Sequence, residues 1–382
     1  QSLYQLLPPE VYGDKPVRNA DWSLPCVEIN DAPAFRYRGA MLDGCRHFAS
    51  VDYIKKFIDI LAMHKMNTFH WHLTDDQGWR IEIKKYPKLT EVGSKRSETM
   101  IDYFYTHYPF KYDGKPHGGF YTQEEIKDVV AYAKSRYVTV IPEIELPGHA
   151  LAAIAAYPEL SCTPDSTYEV AKLWGVFDQV FCPTDTLFSF LEGVMDEVVE
   201  LFPGEYIHIG GDECPKNAWE ECSHCQKLIR ELGLKEDAVP NPIDGKKHTK
   251  EEKLQSYIVG RIEKYLNTKG RNIIGWDEIL EGGLAPNATV MSWRGVEGGV
   301  NAAKAGHDAI MTPNPYAYLD HYQEDPEIAP VTIGGYNTLK KTYSYNPVPT
   351  DADSLVKRHI IGLQANCWSE YMPTEDRRHA RD

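Results

Sequence analysis

The segment IHIGGDE ends in two glycines followed by two adjacent acids, Asp212 and Glu213. Glycine lets a backbone pass close to a ligand, and a positioned carboxyl group can give or take a proton. Neighbouring residues at a strand end point in divergent directions, so the two acids make an awkward pair for opposite sides of one bond. They suit an acid and a partner that orients something else; a salt-bridged or cation-holding acidic turn is the bland alternative. A second segment, HWHLTDD, places His70 and His72 on one strand face, as metal-binding H-x-H pairs do. A metal site would need further histidines at later strand ends, and those ends carry tryptophans and acids. Histidines packed and hydrogen-bonded in the interior are the preferred reading.

Polar residues recur where nearly every short apolar run ends. They are Asp43 and Arg46, Asp75 and Asp76, Glu143 and Glu145 before His149, Asp212 and Glu213, Trp276 and Asp277, Trp293 and Arg294, Trp368 and Glu370. One acidic strand end is explained by a salt-bridged rim. A whole ring of them, interleaved with three indoles, is not. Carboxylates beside stacking aromatic faces describe a site for sugar rings.

The runs are Tyr37–Asp43, Thr68–Thr74, Val138–Glu145, Tyr206–Asp212, Arg271–Asp277, Ala288–Arg294, His307–Thr312 and Ile360–Trp368, and all but the seventh end in or beside these residues. Helical patterns separate them, which is the signature of βα units around a parallel sheet. Ile54, Phe57, Ile58, Leu61 and Ala62 form one stripe, and Thr122 with Glu125 forms a capping box. Further helices are predicted at Thr186–Leu201, Lys216–Leu232 and Thr249–Thr268. Eight strands predict an α/β fold, a (β/α)8 TIM barrel with chemistry at the carboxyl ends of its strands. Only Glu278–Asn287 separates the fifth strand from the sixth, too short for a crossover helix, so the barrel is expected to be irregular around strands 5 to 8. Long βα-loop insertions follow the second strand (Asp75–Phe120) and the seventh (Pro313–His359). Residues 1–34 read as a linker and lead-in, and 35–382 as the barrel. The end, TEDRRHARD, lacks the apolar helix expected after an eighth strand.

The chain has 382 residues, 42% of them hydrophobic and 25% charged, enough to bury a core. Its formal charge of −15 argues against a nucleic-acid or anionic-membrane partner. No apolar run approaches the ~18 residues of a membrane helix. Among the eight cysteines, Cys214, Cys222 and Cys225 with His224 contain a C-x2-C step suited to zinc. A second such pair is absent, so free thiols or a local disulfide are expected, with no metal and no cofactor. No secretory signal precedes Gln1, and the chain opens in mid-pattern (SLYQLLPPEVYG).

From about Arg38 to Met372 the motifs RGAMLDGCRHF, NTFHWHLTDDQGWRIE, GGFYTQEEI, PEIELPGHA, IHIGGDE, GWDEIL, SWRG and WSE occur in order. Together they resemble the catalytic domain of a bacterial-type glycoside hydrolase family 20 β-N-acetylhexosaminidase. In that family an accessory α+β domain usually precedes the barrel, and residues 1–34 match at most its exit. The resemblance implies a secreted or periplasmic enzyme that removes terminal, non-reducing β-linked GlcNAc or GalNAc from glycans with retention. It also implies that the substrate's own 2-acetamido oxygen attacks C1, an exception to the two-carboxylate scheme.

By the family pattern Glu213 is the general acid and then the base, and Asp212 orients the acetamide. Tyr318 binds the acetamide oxygen, while Asp75 and His149 form an orienting pair that reaches Glu213. Arg46, Asp320 and Glu370 take the sugar hydroxyls, and Trp276, Trp293 and Trp368 form the aromatic walls. Two other classes stay open at this level: a metal-dependent barrel hydrolase built on His70 and His72, and a lectin on an inactive barrel.

Overall fold

The computed structural model describes residues 2–13, 15–105 and 108–375. Its centre is a closed barrel of eight parallel strands. These are β1 (Tyr37–Asp43), β2 (Thr68–His72), β3 (Thr139–Leu146), β4 (Tyr206–Gly210), β5 (Asn272–Trp276), β6 (Thr289–Ser292), β7 (Ala309–Met311) and β8 (Ile360–Cys367). Each strand pairs with its neighbours in chain order, and β8 closes on β1 through Tyr37↔Gly362 to Leu42↔Cys367.

Alternation along the strands divides two cores. Ala40, Leu42, Phe69, Trp71, Ile207, Ile209 and Ile273 pack outward against the helices. Tyr37, Met41, Ile141, Ile274, Met291, Ile310 and Ile361 fill the interior. The helix Val51–Met63 buries Ile54, Phe57, Ile58, Leu61 and Ala62, with the Ser50 hydroxyl accepting from the Tyr53 N–H. Both sides of the Thr122/Glu125 capping box form, and a second box, Thr249/Glu252, starts the helix Lys250–Thr268. These caps satisfy N–H groups that a helix start leaves without partners.

The irregular quarter lies where the short connection predicted it. A 3-10 turn, Asp277–Leu280, links β5 to β6 in place of a helix, and the register slips between Ala309 and Ile310. The segment read as one helix over Lys216–Leu232 is two, Asn217–Glu221 and Ser223–Glu231, broken at Cys222 in extended backbone. Among the described residues no strand precedes Tyr37, and the end of TEDRRHARD past Glu375 lies outside them.

Inside the barrel the register sets a polar layer: His72 pairs with Glu143, and Glu143 with His208. The Glu143 carboxylate accepts from His72 Nδ1 and lies 3.0 Å from His70 Nε2 and 2.9 Å from His208 Nδ1. Trp276 Nε1 donates at 2.8 Å to Oε1, the oxygen that His208 also approaches, while His70 and His72 face Oε2. Burial works against this charge, but the three imidazoles outweigh it and hold Glu143 well below the usual carboxylate range. His70 and His72 are thus packed and hydrogen-bonded within the barrel. Removing the hub strands these partners in a dry interior, so Glu143→Ala is expected to cost ~3–5 kcal/mol of stability. Urea unfolding measures it, and a loss below about 1 kcal/mol would contradict the hub role.

Candidate active site

The turn after β4 is built for close approach. Gly210 and Gly211 have φ of 65° and 93°, and a Cβ at Gly210 would overlap the Glu145 carboxyl beneath it. Glu213 itself sits at φ 42° and His149, after β3, at 46°. Such backbone costs a non-glycine residue of order 1–3 kcal/mol, and it persists where the surroundings over-determine it. Here it turns both side chains toward the mouth of the barrel.

Asp75, directly after the β2 strand, is fully buried and holds three cationic groups. Arg46 Nη2 lies 2.9 Å and His72 Nε2 2.8 Å from its Oδ2, and His149 Nδ1 lies 3.2 Å from its Oδ1. From this acid the network runs two ways. His149 Nε2 reaches Glu213 Oε2 at 3.4 Å and Asp212 Oδ2 at 3.6 Å. Arg46 Nη1 faces Glu370 Oε1 at 3.9 Å, and its guanidinium stands 5.0 Å above the Trp368 ring.

Burial works to lower His149, but Asp75, then Asp212, holds it well above the ordinary imidazole value, so it is an imidazolium near neutrality. Burial pushes Asp212 up to about 7 against the pull of that imidazolium. Glu213 also feels burial, yet the hydrogen bond and charge of His149 keep it below its ordinary value. The two carboxyls differ in access as well: the Glu213 side chain is 40% exposed and that of Asp212 11%. Glu370 is raised by burial to about 7, with Arg46 pulling the other way.

Aromatic faces enclose the space above. Trp276 and Trp368 have ring centroids 6.0 Å apart, and Tyr318 lies 6.2 Å from both Trp293 and Trp368. Trp293 is fixed by Nε1 donating to Glu278 Oε2 at 2.9 Å. Tyr318 and Asp320 come from the long β7–β8 connection, where Tyr318 bridges to Asn366 of β8. The resulting pocket, of about 250 Å³, is lined by Arg46, His149, Asp212, Glu213, Trp276, Trp293, Tyr318, Asp320, Trp368 and Glu370. Asp212 Oδ1 and Glu370 Oε2 make no hydrogen bond among the described residues. A ligand rich in hydroxyl and amide groups is complementary to such walls.

Of the residues assigned from the sequence, only Asp75 is absent from that lining; it stands behind His149 and Arg46. His149 is shared with a residue given no role from the sequence, Asp76, whose Oδ2 accepts from Nδ1 at 2.9 Å. Adjacent acids carry no signal of which one faces the imidazole. Tyr105, Asn314, His321 and Ile333 also line the pocket, from long loops without periodicity. Other strand-end polar residues serve elsewhere. Asp43 accepts from the Cys45 and Arg46 N–H groups, and Asp277 binds Arg294 Nε at 2.6 Å. His70 and His72 lie in the buried layer, outside the lining. Cys214 and His224 do not join the C-x2-C pair: Cys222 and Cys225 meet Cys162 and Cys182 instead.

Residues 35–381 match the family model described as glycosyl hydrolase family 20, catalytic domain. A β-hexosaminidase of Porphyromonas gingivalis is 54% identical over 99% of this chain and 45% of its own length. A β-hexosaminidase of Vibrio furnissii is 39% identical over 93% of this chain and 56% of its own. The chain thus spans about half the length of these curated relatives. Among solved structures, a β-N-acetylhexosaminidase superposes with a TM-score of 0.79 at 32% identity, covering 92% of this chain and 70% of that one. A family 20 exo-β-N-acetylglucosaminidase from Vibrio harveyi, in complex with N-acetylglucosamine, gives 0.73 at 36% identity, covering 90% and 52%.

The electrostatic account has a direct check. A nitrogen-detected NMR titration is expected to show His149 doubly protonated at pH 7.5. Asp75→Asn removes the leading attraction and leaves Asp212 and Asp76 to oppose burial, so the His149 pKa falls. An unchanged titration in that variant would transfer the role to Asp76.

Proposed function

The chain belongs to glycosyl hydrolase family 20, and on that premise we propose that it removes terminal non-reducing β-linked N-acetylhexosamines from glycans by substrate-assisted catalysis. The observation that carries this reading is the convergence of Asp212 and Glu213 on the single Nε2 of His149. Both acids answer to one buried imidazolium, which ties them into a single charge cluster. A conventional retaining enzyme sets its carboxyls about 5–5.5 Å apart on either side of the scissile bond. In this reading Glu213 serves the leaving group and Asp212 the acetamide, so neither is the nucleophile and the 2-acetamido oxygen supplies it.

In this reading the sugar ring lies on the Trp368 and Trp276 faces, with Arg46, Asp320 and Glu370 accepting and donating to its hydroxyls. The acetamide folds beneath the ring between Trp293 and Tyr318. Its N–H donates to Asp212, and the Tyr318 hydroxyl donates to its oxygen. That oxygen bonds to C1 as the C1–O bond breaks, and Glu213 gives its proton to the departing oxygen. An oxazolinium ion results, its charge steadied by the Asp212 carboxylate. Glu213 then takes a proton from water as the water attacks C1, which opens the ring and restores the acetamide.

Burial raises Asp212 while His149 lowers Glu213, so a proton shared between the two is held more strongly by Asp212. In the empty pocket the proton resides on Asp212. An acetamide N–H is bound more strongly by the anion than by the neutral acid, so its arrival favours moving the proton to Glu213 and arms the acid. A substrate lacking that N–H does not.

Two measurements test the proposal. Aryl β-GlcNAc is expected to be cleaved while aryl β-glucoside is not, a gap well beyond the ~1–3 kcal/mol of one lost hydrogen bond. Similar kcat/KM on both would sink it. On the GlcNAc substrate, kcat/KM is expected to fall on the alkaline side near the Asp212 value of about 7 as the shared proton leaves. Asp212→Asn removes the anion that supports protonation of Glu213, so that limb moves to lower pH while the rate drops ~10²–10³-fold. A limb that stays in place would contradict the shared proton.

A further inference from the structure

Four thiols gather outside the pocket lining. Cys162 follows the 3-10 turn Pro158–Leu160, Cys182 precedes the helix Asp185–Leu201, and Cys222 and Cys225 open the helix Ser223–Glu231. Their Sγ atoms all lie within 4.8 Å of one another. Cys225 Sγ stands 3.8 Å from that of Cys162 and 3.7 Å from that of Cys182. Zinc–thiolate bonds of ~2.3 Å in a tetrahedron place the sulfurs about 3.8 Å apart along each edge. Two disulfides would instead draw the sulfurs into pairs at ~2.05 Å. An iron–sulfur cage would need wider spacing than this group has.

We propose that Cys162, Cys182, Cys222 and Cys225 form a structural zinc site of four thiolates. The C-x2-C step of Cys222 and Cys225 supplies one half, and the two loop cysteines, one at a time, supply the other. Cys222 is the N-cap residue of a nine-residue helix and Cys225 lies in its first turn, so both sulfurs occupy the positive end of the helix dipole. The break between the helices at Cys222 then has a purpose: a continuous helix would carry the two sulfurs on along its own face. Cys225 and Cys182 are buried while Cys162 and Cys222 are half-buried, and the latter two line a surface depression through which an ion can enter. Four protein ligands leave no open position, which makes the site a clamp and not a second catalytic centre.

What it clamps is informative. Phe181, beside Cys182, donates its N–H to Pro147 O, two residues before His149, and its carbonyl accepts from Trp219 Nε1 at 2.9 Å. Cys222 follows Glu213 by nine residues. The ion therefore ties the chain that follows Glu213 to the loop that supports His149. This inference stands apart from the glycosidase reading, since neither substrate nor turnover enters it.

The test uses the whole chain, purified under reducing conditions without added metal, and reads zinc by plasma mass spectrometry. One zinc per chain is expected, and Cys222→Ser/Cys225→Ser should carry none. Cys214→Ser and His224→Gln, the other members of the sequence cluster, should keep theirs. Replacing the ion with cobalt in the unaltered chain should give the intense visible bands of tetrahedral cobalt with thiolate charge transfer, a readout independent of whether any variant folds. Removing zinc with a thiol-blocking mercurial should lower the melting temperature. A metal-free native chain with four reactive thiols, disulfide-linked peptides among these cysteines, or stoichiometric iron in place of zinc would each overturn the assignment.

Discussion

Asp75 is the constraint from which the site is organised. It is a fully buried carboxylate whose charge is tolerated only because Arg46, His72 and His149 surround it. Burial alone pushes its proton affinity up, and these cations reverse the sign so that it stays ionised. Without Asp75 each cation loses an anionic partner in a dry interior, where His72 keeps Glu143, His149 keeps Asp76 and Arg46 keeps only the more distant Glu370 and Asp43. The group is thus mutually dependent, and its geometry is narrow. Arg46 carries that geometry to Glu370 and the ring-binding wall, while His149 carries it to Asp212 and Glu213.

The layer beneath repeats the logic with opposite emphasis. Glu143 is one anion among His70, His72 and His208, and His72 is the residue that touches both networks. Held between Glu143 and Asp75, the His72 imidazole is raised to about 10 in spite of its burial. Glu145 completes the floor in a different way. Burial, then the nearby Asp212, pushes it well above the carboxylate range, so it is neutral under the Gly210 turn. A neutral acid there leaves the negative charge to the residues facing the pocket.

The irregular side of the barrel serves the aromatic half of the site. With no helix between β5 and β6, the turn Asp277–Leu280 brings Glu278 up to anchor the Trp293 indole. The long connection between β7 and β8 folds over the barrel mouth and delivers Tyr318 and Asp320. Regular βα units end in short loops, which do not reach so far inward. The enclosure therefore depends on the departure from regularity.

Short apolar runs separated by helical patterns marked all eight strands, and the polar residues at nearly every run's end marked the mouth of the barrel. This much is local: period two decides which side chains face inward, and chain direction decides which end of a parallel strand is which. The three tryptophans and the Asp212–Glu213 pair were legible for that reason. Which of Asp75 and Asp76 would face His149, and which cysteines would join Cys222 and Cys225, were not. Neither was the Glu143 hub, because inward-facing histidines and acids show only that they enter the interior. Register, barrel closure and loop packing bring together groups more than sixty residues apart, such as Cys162 and Cys225 or His72 and Glu143. Sequence determined each residue's face; only the closed tertiary structure determined its partner, since a buried charge or thiol is satisfied by whatever long-range packing sets beside it.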